Sequence, residues 1–246
     1  MLAMTLSRLS LLKWQKGTPK FNPTLQPTLG VQDLPVLQPA TLNDAFIRLA
    51  FQHTIDWQVE AQFAHSFAEE FAATSNAIPS AVYIGLVKRS RGLSVLFTKR
   101  TAHLPTHAGQ VCFPGGRLEP TDMSPKDAAV RETFEELGIA PQFIEPLGQH
   151  PIFTTTTGFA MCPIVGMVHE GYQLKTCINE VAEVFEVPLD VLLNPKHHHL
   201  HEVATEHGAH RYFSITWHEH FIWGATAVLV RNLYHFLAAA EQQLSD

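Results

Sequence analysis

The feature that most constrains the fold is the stretch GGRLEPTDMSPKDAAVRETFEELG, which runs from residue 115 to residue 138. Its second half predicts a helix with defined ends. Ser124 can cap free backbone amides, and Pro125 suits the first helical position. Gly138 is a natural stop, because glycine readily adopts the left-handed conformation that ends many helices. We therefore expect a short helix between Ser124 and Gly138.

Acidic residues crowd the last turns of this helix. One side carries Glu132, Glu135 and Glu136, and the opposite, apolar side consists of Val130, Phe134 and Leu137. Like charges three and four residues apart repel one another, and carboxylates at a helix C-terminus oppose the helix dipole. Either the cluster is a solvated helix face, or it binds divalent cations. Mg²⁺ prefers hard oxygen ligands, and carboxylates one turn apart can converge on an ion.

The same stretch resembles the Nudix box, whose usual pattern is a glycine, five residues, a glutamate, seven residues and then Arg-Glu-aliphatic-x-Glu-Glu-x-Gly-aliphatic. The matching positions at its end are Arg131, Glu132, Glu135, Glu136, Gly138 and Ile139. Thr133 replaces the usual aliphatic residue. Counted from Gly116, the first acidic position is Asp122, which is separated from Arg131 by eight residues rather than seven. These departures leave the helical acids unchanged.

The segment directly upstream, LFTKRTAHLPTHAGQVCFPGGR, resembles the signature of the coenzyme A pyrophosphatase branch of the Nudix hydrolases. That signature is roughly Leu-Leu-Thr-x-Arg-Ser, a short gap and His-x-Gly-x-Val-x-Phe-Pro-Gly-Gly. Its matching positions are Leu96, Thr98, Arg100, His107, Gly109, Val111, Phe113, Pro114, Gly115 and Gly116, with Phe97 and Thr101 as substitutions. The resemblance covers about residues 78–240.

The resemblance implies an α/β fold, a Nudix-type α/β/α sandwich with a mixed β-sheet, and Mg²⁺ or Mn²⁺ as cofactor. It also implies hydrolysis of the pyrophosphate bond of coenzyme A or its thioesters, giving 3',5'-ADP and 4'-phosphopantetheine or its acyl form. By motif position, Glu132, Glu135 and Glu136 are then the metal ligands and catalytic residues. Divalent ions that bridge pyrophosphate oxygens neutralise their charge and activate the attacking water.

Other residues of the two segments are candidates for the same site. We interpret Arg131 as a catalytic-site residue that fixes a glutamate through an ion pair. The candidates for substrate binding are Arg100, His107, Gln110, Gly115 and Gly116. Arg100 would supply charge for phosphates, with Lys99 a weaker candidate, and the glycines would permit a tight backbone turn. His107 and Gln110 either shape the coenzyme A site or have a structural hydrogen-bonding role.

The proton of the attacking water also needs an acceptor. The candidates are the helix glutamates and, outside the box, Glu180 and Glu183 in the segment NEVAEVF. Each of these two outside acids has an alternative role as a plain surface residue. The sequence does not choose among them.

Composition limits the class of protein. The chain is 46% hydrophobic and 16% charged, which predicts a folded protein rather than a disordered one. Its net charge of −6 gives no general electrostatic reason to expect nucleic acid as a partner. The resemblance implies a small-molecule substrate, coenzyme A or one of its esters, as the partner. The 3 cysteines, without CxxC spacing, indicate neither a disulfide framework nor a cysteine metal site. No apolar run approaches the roughly 18 residues of a membrane span.

The sequence constrains the cellular location and the oligomeric state of the protein less than its fold. A cytoplasmic protein is the simplest expectation. The first residues, MLAMTLSRLSLLKWQKGTPK, are basic and contain no acid, so they are either a surface helix or a transit peptide that would direct the chain to an organelle matrix. Nudix enzymes often form dimers, and a homodimer is therefore also considered.

Two parts of the chain are predicted. Residues 1–77 form a proline-rich arm and a helical extension, with one or two helices over 43–75, and residues 78–246 form the Nudix hydrolase domain. In the second part, SAVYIGLV and LSVLFTKR predict paired strands, and FAMCPIVGMV predicts another strand. VAEVFEVPLDVLL predicts a strand or a strand followed by a helix, and YFSITWHEHFIWG predicts strands around a turn. The tail ATAVLVRNLYHFLAAAEQQL predicts a final helix.

Histidines are concentrated near the end of the chain. HHHLHEVATEHGAH carries His197, His198, His199, His201, His207 and His210, and HEH follows at 218–220. Such a tract either binds Zn²⁺ or Ni²⁺ or forms an exposed loop, and we expect the exposed loop. HEVATEH lacks the HExxH spacing of a two-histidine helical zinc site. HEH alone is too short to predict one.

Three hypotheses about function follow. The leading one is a Nudix coenzyme A pyrophosphatase, and the alternative is a Nudix hydrolase of another nucleoside diphosphate derivative such as NADH or ADP-ribose. A catalytically silent Nudix-fold binding module belongs to a different class. A silent module would be expected to lack at least one metal ligand of the family. The sequence instead keeps Glu132, Glu135 and Glu136, which argues against this hypothesis.

Overall fold

The computed structural model of the protein describes residues 21–31, 33–74, 76–205 and 208–244. The strands within these ranges are β1 (Thr28–Val31), β2 (Phe67–Ala68), β3 (Ile78–Arg89), β4 (Gly92–Arg100), β5 (Val111–Cys112), β6 (Gly115–Arg117), β7 (Ile144–Gln149), β8 (Ile152–Thr154), β9 (Phe159–Val168), β10 (Val181–Pro188), β11 (His198–Thr205), β12 (Gly208–Trp217) and β13 (His220–Trp223). The α-helices are α1 (Asp44–Gln52), α2 (Pro125–Leu137), α3 (Leu189–Leu192) and α4 (Ala225–Leu244). The basic N-terminal segment and His207 lie outside the described residues.

A nine-stranded mixed sheet forms the centre of the fold. Its main path is β10-β4-β3-β9-β8-β2, with β5 paired to β4, β6 to β3 and β7 to β9. The predicted pair of strands is confirmed as the antiparallel β3–β4 hairpin, whereas β3 and β9 run parallel. The strand predictions for β9, β10 and the β12–β13 hairpin, and the helix prediction for α4, are also confirmed.

Two hydrophobic layers lie on opposite faces of this sheet. Alternation along β3 turns Ala81 and Tyr83 toward the core beneath α2, and Val82 and Ile84 toward the core shared with α1 and α4. A second, four-stranded sheet, ordered β1-β11-β12-β13, adds to the core of the α4 face. The chain is therefore an α/β/α sandwich with a mixed sheet, as predicted. No helix in the described ranges has the length and hydropathy needed to cross a bilayer.

The helical prediction for residues 43–75 is only partly confirmed. Asn43 caps α1 by accepting a hydrogen bond from the Phe46 amide at 3.0 Å, but α1 ends at Gln52 and short 3₁₀ turns follow. Beyond α1, tertiary hydrogen bonds replace helical ones, since the amide of Glu60 donates to the side chain of Asn232 on α4 at 2.9 Å. The division of the chain at residue 77 stays a prediction.

The expectation of an exposed histidine loop was wrong. Most of the tract forms β11, and two of its histidines are buried. His198 Nε2 donates to the Leu192 carbonyl at 2.7 Å, and the ring of His201 stacks on Tyr212 with 4.7 Å between centroids. Pairing with β12 places alternate residues on the core face, which the tract's polar composition concealed.

A buried charge cluster joins the N-terminal part to α4. Arg231 is fully buried, donates to the carboxylate of Glu60, and lies over the ring of Phe213 at 4.2 Å. His235 also contacts Glu60, at 3.0 Å. Although burial alone would raise the pKa of Glu60, the His235 hydrogen bond and the Arg231 charge lower it to about 2. Glu60 is thus held ionised in the interior by neighbours from α4.

The burial of His150 predicts that the stability of the folded chain depends on pH. Its ring lies among Phe51, Trp57 and Phe236, neither ring nitrogen has a hydrogen-bond partner in the described chain, and burial lowers its pKa to about 3. Because the unfolded histidine titrates near 6.5, the folded state should lose stability as pH falls below that value, by about 1.4 kcal/mol per unit.

We expect His150→Phe to remove this contribution. Between pH 7.5 and 5 the wild type should lose about 2 kcal/mol more free energy of unfolding than the variant, as measured by urea denaturation. His103→Gln, at an exposed histidine, should keep the wild-type slope. Equal pH slopes for His150→Phe and the wild type would show that the buried ring is not the source.

Candidate active site

The helix that carries the glutamates has the predicted ends. The side chain of Ser124 accepts a hydrogen bond from the Asp127 amide at 3.3 Å, Pro125 is the first helical residue, and Gly138 ends the helix with φ of 71°. The Gly138 amide donates to the Phe134 carbonyl at 2.8 Å. These local interactions therefore set both ends of the helix that carries the glutamates.

The buried face of α2 matches the predicted one in part, because Leu137 is fully buried and Val130 packs against the core. Phe134 is 49% exposed, whereas Thr133 and Glu136 are 0% and 4% exposed. The small residues Ala128 and Ala129 let the helix approach the sheet closely, so the face that packs is not the one with the largest apolar side chains. Thr133 fits this interior because its hydroxyl donates to the Ala129 carbonyl at 2.7 Å.

Arg131 is the central cation of the site. It donates to both carboxylate oxygens of Asp122, at 2.9 and 3.1 Å. Its Nη1 donates to Glu132 and Glu135, each at 3.0 Å, and its Nη2 reaches the Arg117 carbonyl at 3.0 Å. The Arg131 hydrogen bond lowers the pKa of Asp122. Asp122 thus anchors the arginine, a role that its irregular spacing in the sequence did not reveal.

Glu136 is the most unusual carboxylate of the site. Its Oε2 is buried and has no hydrogen-bond partner among the described residues. Burial, with the nearby charge of Glu132, raises its pKa to about 8. Burial also raises the pKa of Glu132, although Arg131 opposes that shift. A buried, unpaired carboxylate beside a second one is costly unless a cation neutralises both.

The donor set suits a hard divalent cation. Glu132, Glu135 and Glu136 offer only oxygen ligands, and the orphaned Oε2 of Glu136 is a ready ligand. In the described part of the chain, these three glutamates do not bring three oxygens within 4.8 Å of one another. Glu135 points outward, with 54% of its side chain exposed. Glu132 and Glu136 are therefore the better-supported ligands of the three.

Two further charged residues lie close enough to act on Glu136. The positive charge of Arg100 lowers its pKa and the negative charge of Glu180 raises it, although burial outweighs both. Glu180 also acts on Glu132 in the same direction. The Nε of Arg100 is buried and has no partner within the described ranges, so this guanidinium has a free donor. The structure thus brings Arg100 and Glu180 to the glutamates of α2.

The structure does not place Glu183 and Lys99 beside the glutamates of α2. They are cross-strand neighbours on β10 and β4, and their charged atoms lie 3.9 Å apart. Glu183 also lies 2.9 Å from His220, and its neighbour Phe185 contacts the core of the α4 face. Strand alternation therefore turns Glu183 and Lys99 away from α2.

His107 and Gln110 lie in the loop between β4 and β5. The His107 Nδ1 and Gln110 Oε1 atoms are 2.8 Å apart, and the carbonyl of Gln110 accepts from the Arg100 amide at 2.9 Å. His107 has a left-handed backbone, with φ of 55°. This geometry supports the structural hydrogen-bonding role, and it links the loop to the strand end that carries Arg100.

At the two glycines of β6, a side chain would collide with different neighbours. A Cβ on Gly115 would overlap the backbone of Ala81 and Val82 on β3. A Cβ on Gly116 would overlap the carboxylate of Glu132. Gly115 therefore permits close strand packing, and Gly116 leaves room for a glutamate of the site.

This difference gives a paired prediction. Gly115→Ala should lower the free energy of unfolding by about 1–3 kcal/mol, because backbone cannot move aside cheaply. Gly116→Ala should fold with a change below about 1 kcal/mol but lower kcat/KM at least about tenfold by displacing Glu132. Urea denaturation and steady-state kinetics of both variants test this. A fully active Gly116→Ala would contradict the role of that contact.

Comparisons with known proteins show the family of the chain. The NUDIX domain model matches residues 79–208. A protein of Citrobacter koseri named "Uncharacterized Nudix hydrolase NudL" is 39% identical over 161 residues, which are 65% of this chain and 83% of that protein. Its counterpart in Salmonella paratyphi B is 40% identical over the same shares of both chains. A solved MutT protein from Methanosarcina mazei Go1 is 28% identical, with 47% of this chain and 80% of that one covered and a TM-score of 0.38.

The family match contains the whole of α2, its glutamates and the upstream segment. The chain belongs to the Nudix hydrolase family and is a pyrophosphatase.

Proposed function

We propose that the protein hydrolyses the pyrophosphate bond of coenzyme A or its thioesters, giving 3',5'-ADP and 4'-phosphopantetheine or its acyl form. The observation that carries the proposal is the proximity of two segments. Arg100, from the segment that resembles the coenzyme A branch, lies close enough to Glu136 of the Nudix helix to lower its pKa. A diphosphate held at these glutamates would therefore meet the coenzyme A signature directly.

Each charged residue of the site has a separate role in this proposal. Glu132 and Glu136, with Glu135 at the rim, would hold Mg²⁺ or Mn²⁺, which when bound neutralises the diphosphate and activates water. Arg131, anchored by Asp122, fixes the orientation of Glu132 and Glu135. The guanidinium of Arg100 would supply positive charge for a substrate phosphate.

We assign the general base to Glu180 rather than Glu183. Glu180 is exposed and its charge acts on Glu132 and Glu136, whereas Glu183 is paired with His220 and Lys99 on the other face. An exposed carboxylate beside the site can accept the proton of the attacking water and release it to solvent.

The matched variants Glu180→Gln and Glu183→Gln test this assignment. Glu180→Gln should lower kcat by about 10²–10⁴-fold and alter the acid limb of the pH–rate profile. Glu183→Gln should keep kcat within about twofold of the wild type. Loss of activity in Glu183→Gln with an unchanged Glu180→Gln would reverse the assignment.

The substrate is tested by chromatography of products. Purified protein is incubated with coenzyme A and Mg²⁺, with EDTA and Glu136→Gln as controls. We expect 3',5'-ADP and 4'-phosphopantetheine only from the wild type with metal. NADH and ADP-ribose are assayed in parallel at equal concentration. A higher kcat/KM for either would replace coenzyme A as substrate, and no turnover of any of the three would favour a binding module.

A further inference from the structure

A second group of metal-ligand side chains lies away from α2. Glu183, Glu219 and His220 each offer one ligand atom, and the three atoms lie within 4.8 Å of one another. His220 Nε2 and Glu183 Oε1 are 2.9 Å apart. The family match ends at residue 208, before two of these three residues. The group is therefore separate from the Nudix glutamates in both position and sequence.

The two sheets of the fold bring this group together. Glu183 lies on β10 of the nine-stranded sheet, whereas Glu219 and His220 lie at the tip of the β12–β13 hairpin of the four-stranded sheet. The ring of His220 stacks on Phe185 at 3.6 Å between centroids and 15° between planes. This stacking fixes the imidazole against β10, so its orientation does not depend on the exposed turn.

The polar groups of this cluster are not fully satisfied by one another. His220 is only 6% exposed, and its Nδ1 has no hydrogen-bond partner in the described residues. Glu219 is exposed, and Glu183 meets one ammonium, that of Lys99, at 3.9 Å. Among the described residues, these two carboxylates lie near one lysine, Lys99, and near the imidazoles of His218 and His220. A divalent cation would neutralise them more completely than the distant ammonium does.

We propose that Glu183, Glu219 and His220 bind a divalent transition-metal ion of the Zn²⁺ class. One imidazole nitrogen and two carboxylates are ligands that zinc accepts, with water as a fourth. The imidazole distinguishes this site from the oxygen-only glutamates of α2, which suit Mg²⁺ or Mn²⁺. The bound ion would link the two sheets and stabilise the folded chain by mass action.

Binding is measured by calorimetric titration of the metal-free full-length protein with Zn²⁺ in excess Mg²⁺. The same titration of Glu136→Gln identifies any Zn²⁺ bound by the α2 glutamates. Wild type should bind one equivalent at this site and gain several degrees in Tm with excess Zn²⁺. Co²⁺ in place of Zn²⁺ should give the visible d–d absorption of a four-coordinate site. Absence of saturable Zn²⁺ binding in the wild type would overturn the proposal.

Matched variants assign the site. Glu219→Gln changes an exposed side chain and should weaken Zn²⁺ binding at least tenfold with an unchanged Tm in EDTA, and His220→Gln should abolish the Co²⁺ spectrum. His197→Gln, at an exposed histidine of the tract before β11, should bind Zn²⁺ as the wild type does. Wild-type affinity and Co²⁺ spectrum in Glu219→Gln would refute the assignment even if His220→Gln failed to fold.

Discussion

Glu136→Gln is expected to lower kcat by roughly 10³-fold, because the amide keeps the shape of the side chain but not the charge that holds a divalent cation. The wild-type carboxylate is 4% exposed and its Oε2 has no partner among the described residues. Steady-state turnover of the diphosphate substrate in saturating Mg²⁺ measures the effect. Glu119→Gln, an exposed acid of the same region, should retain wild-type turnover.

The same variant should be more stable than the wild type without metal. The folded pKa of Glu136 is raised to about 8, above the unfolded value of 4.5. The unfolded carboxyl therefore releases its proton first, and the wild type loses stability as pH rises from 4.5 toward 8. In EDTA the free energy of unfolding of Glu136→Gln should not show this fall. A well-folded, fully active Glu136→Gln would remove Glu136 from the set of essential ligands.

Arg231→Met is expected to lower the free energy of unfolding by about 3–5 kcal/mol, since it leaves the carboxylate of Glu60 buried without its cation. Both side chains of the pair are almost completely buried, at 0% and 2% exposure. Urea denaturation followed by tryptophan fluorescence measures the loss. Arg211→Met, which breaks the exposed pair with Glu202, should cost less than about 1 kcal/mol.

The double variant Arg231→Met/Glu60→Gln separates charge from packing. Removal of the carboxylate should restore part of the lost stability, because no buried charge then remains unpaired. The folded pKa of Glu60 is about 2, so the contribution of the pair is present above 4.5 and is lost as pH falls toward 2. A double variant that is less stable than Arg231→Met would show that the arginine's packing, rather than the ion pair, is what matters.

Local features of the sequence predicted the helix that carries the candidate ligands. Ser124, Pro125 and Gly138 set the ends of α2 through capping and backbone preference, which depend on neighbours in the chain. The spacing of Glu132 and Glu136 put both on one helix. The strand predictions for β3, β4 and β9 followed from apolar runs, since those strands lie in the sheet interior.

Where partners are distant in sequence, the same reasoning was incomplete. Phe134 was expected inside, yet close packing of Ala128 and Ala129 on the sheet turned Thr133 and Glu136 inward instead. The histidine tract was expected in a loop, but pairing with β12 made it a strand. Hydrogen bonds from residues after α1 to side chains of α4 replaced the helix predicted there.

By itself the sequence determined the helix, its glutamates and the two motifs, because each of these depends on residues a few positions apart. Only the tertiary structure separated Glu180 from Glu183. The two acids are three positions apart, but Glu180 lies in the turn before β10, whereas Glu183 lies on the strand itself. Strand alternation places Glu183 on the face where it meets His220. Their charges consequently act in different environments, one at the glutamates of α2 and the other between the two sheets.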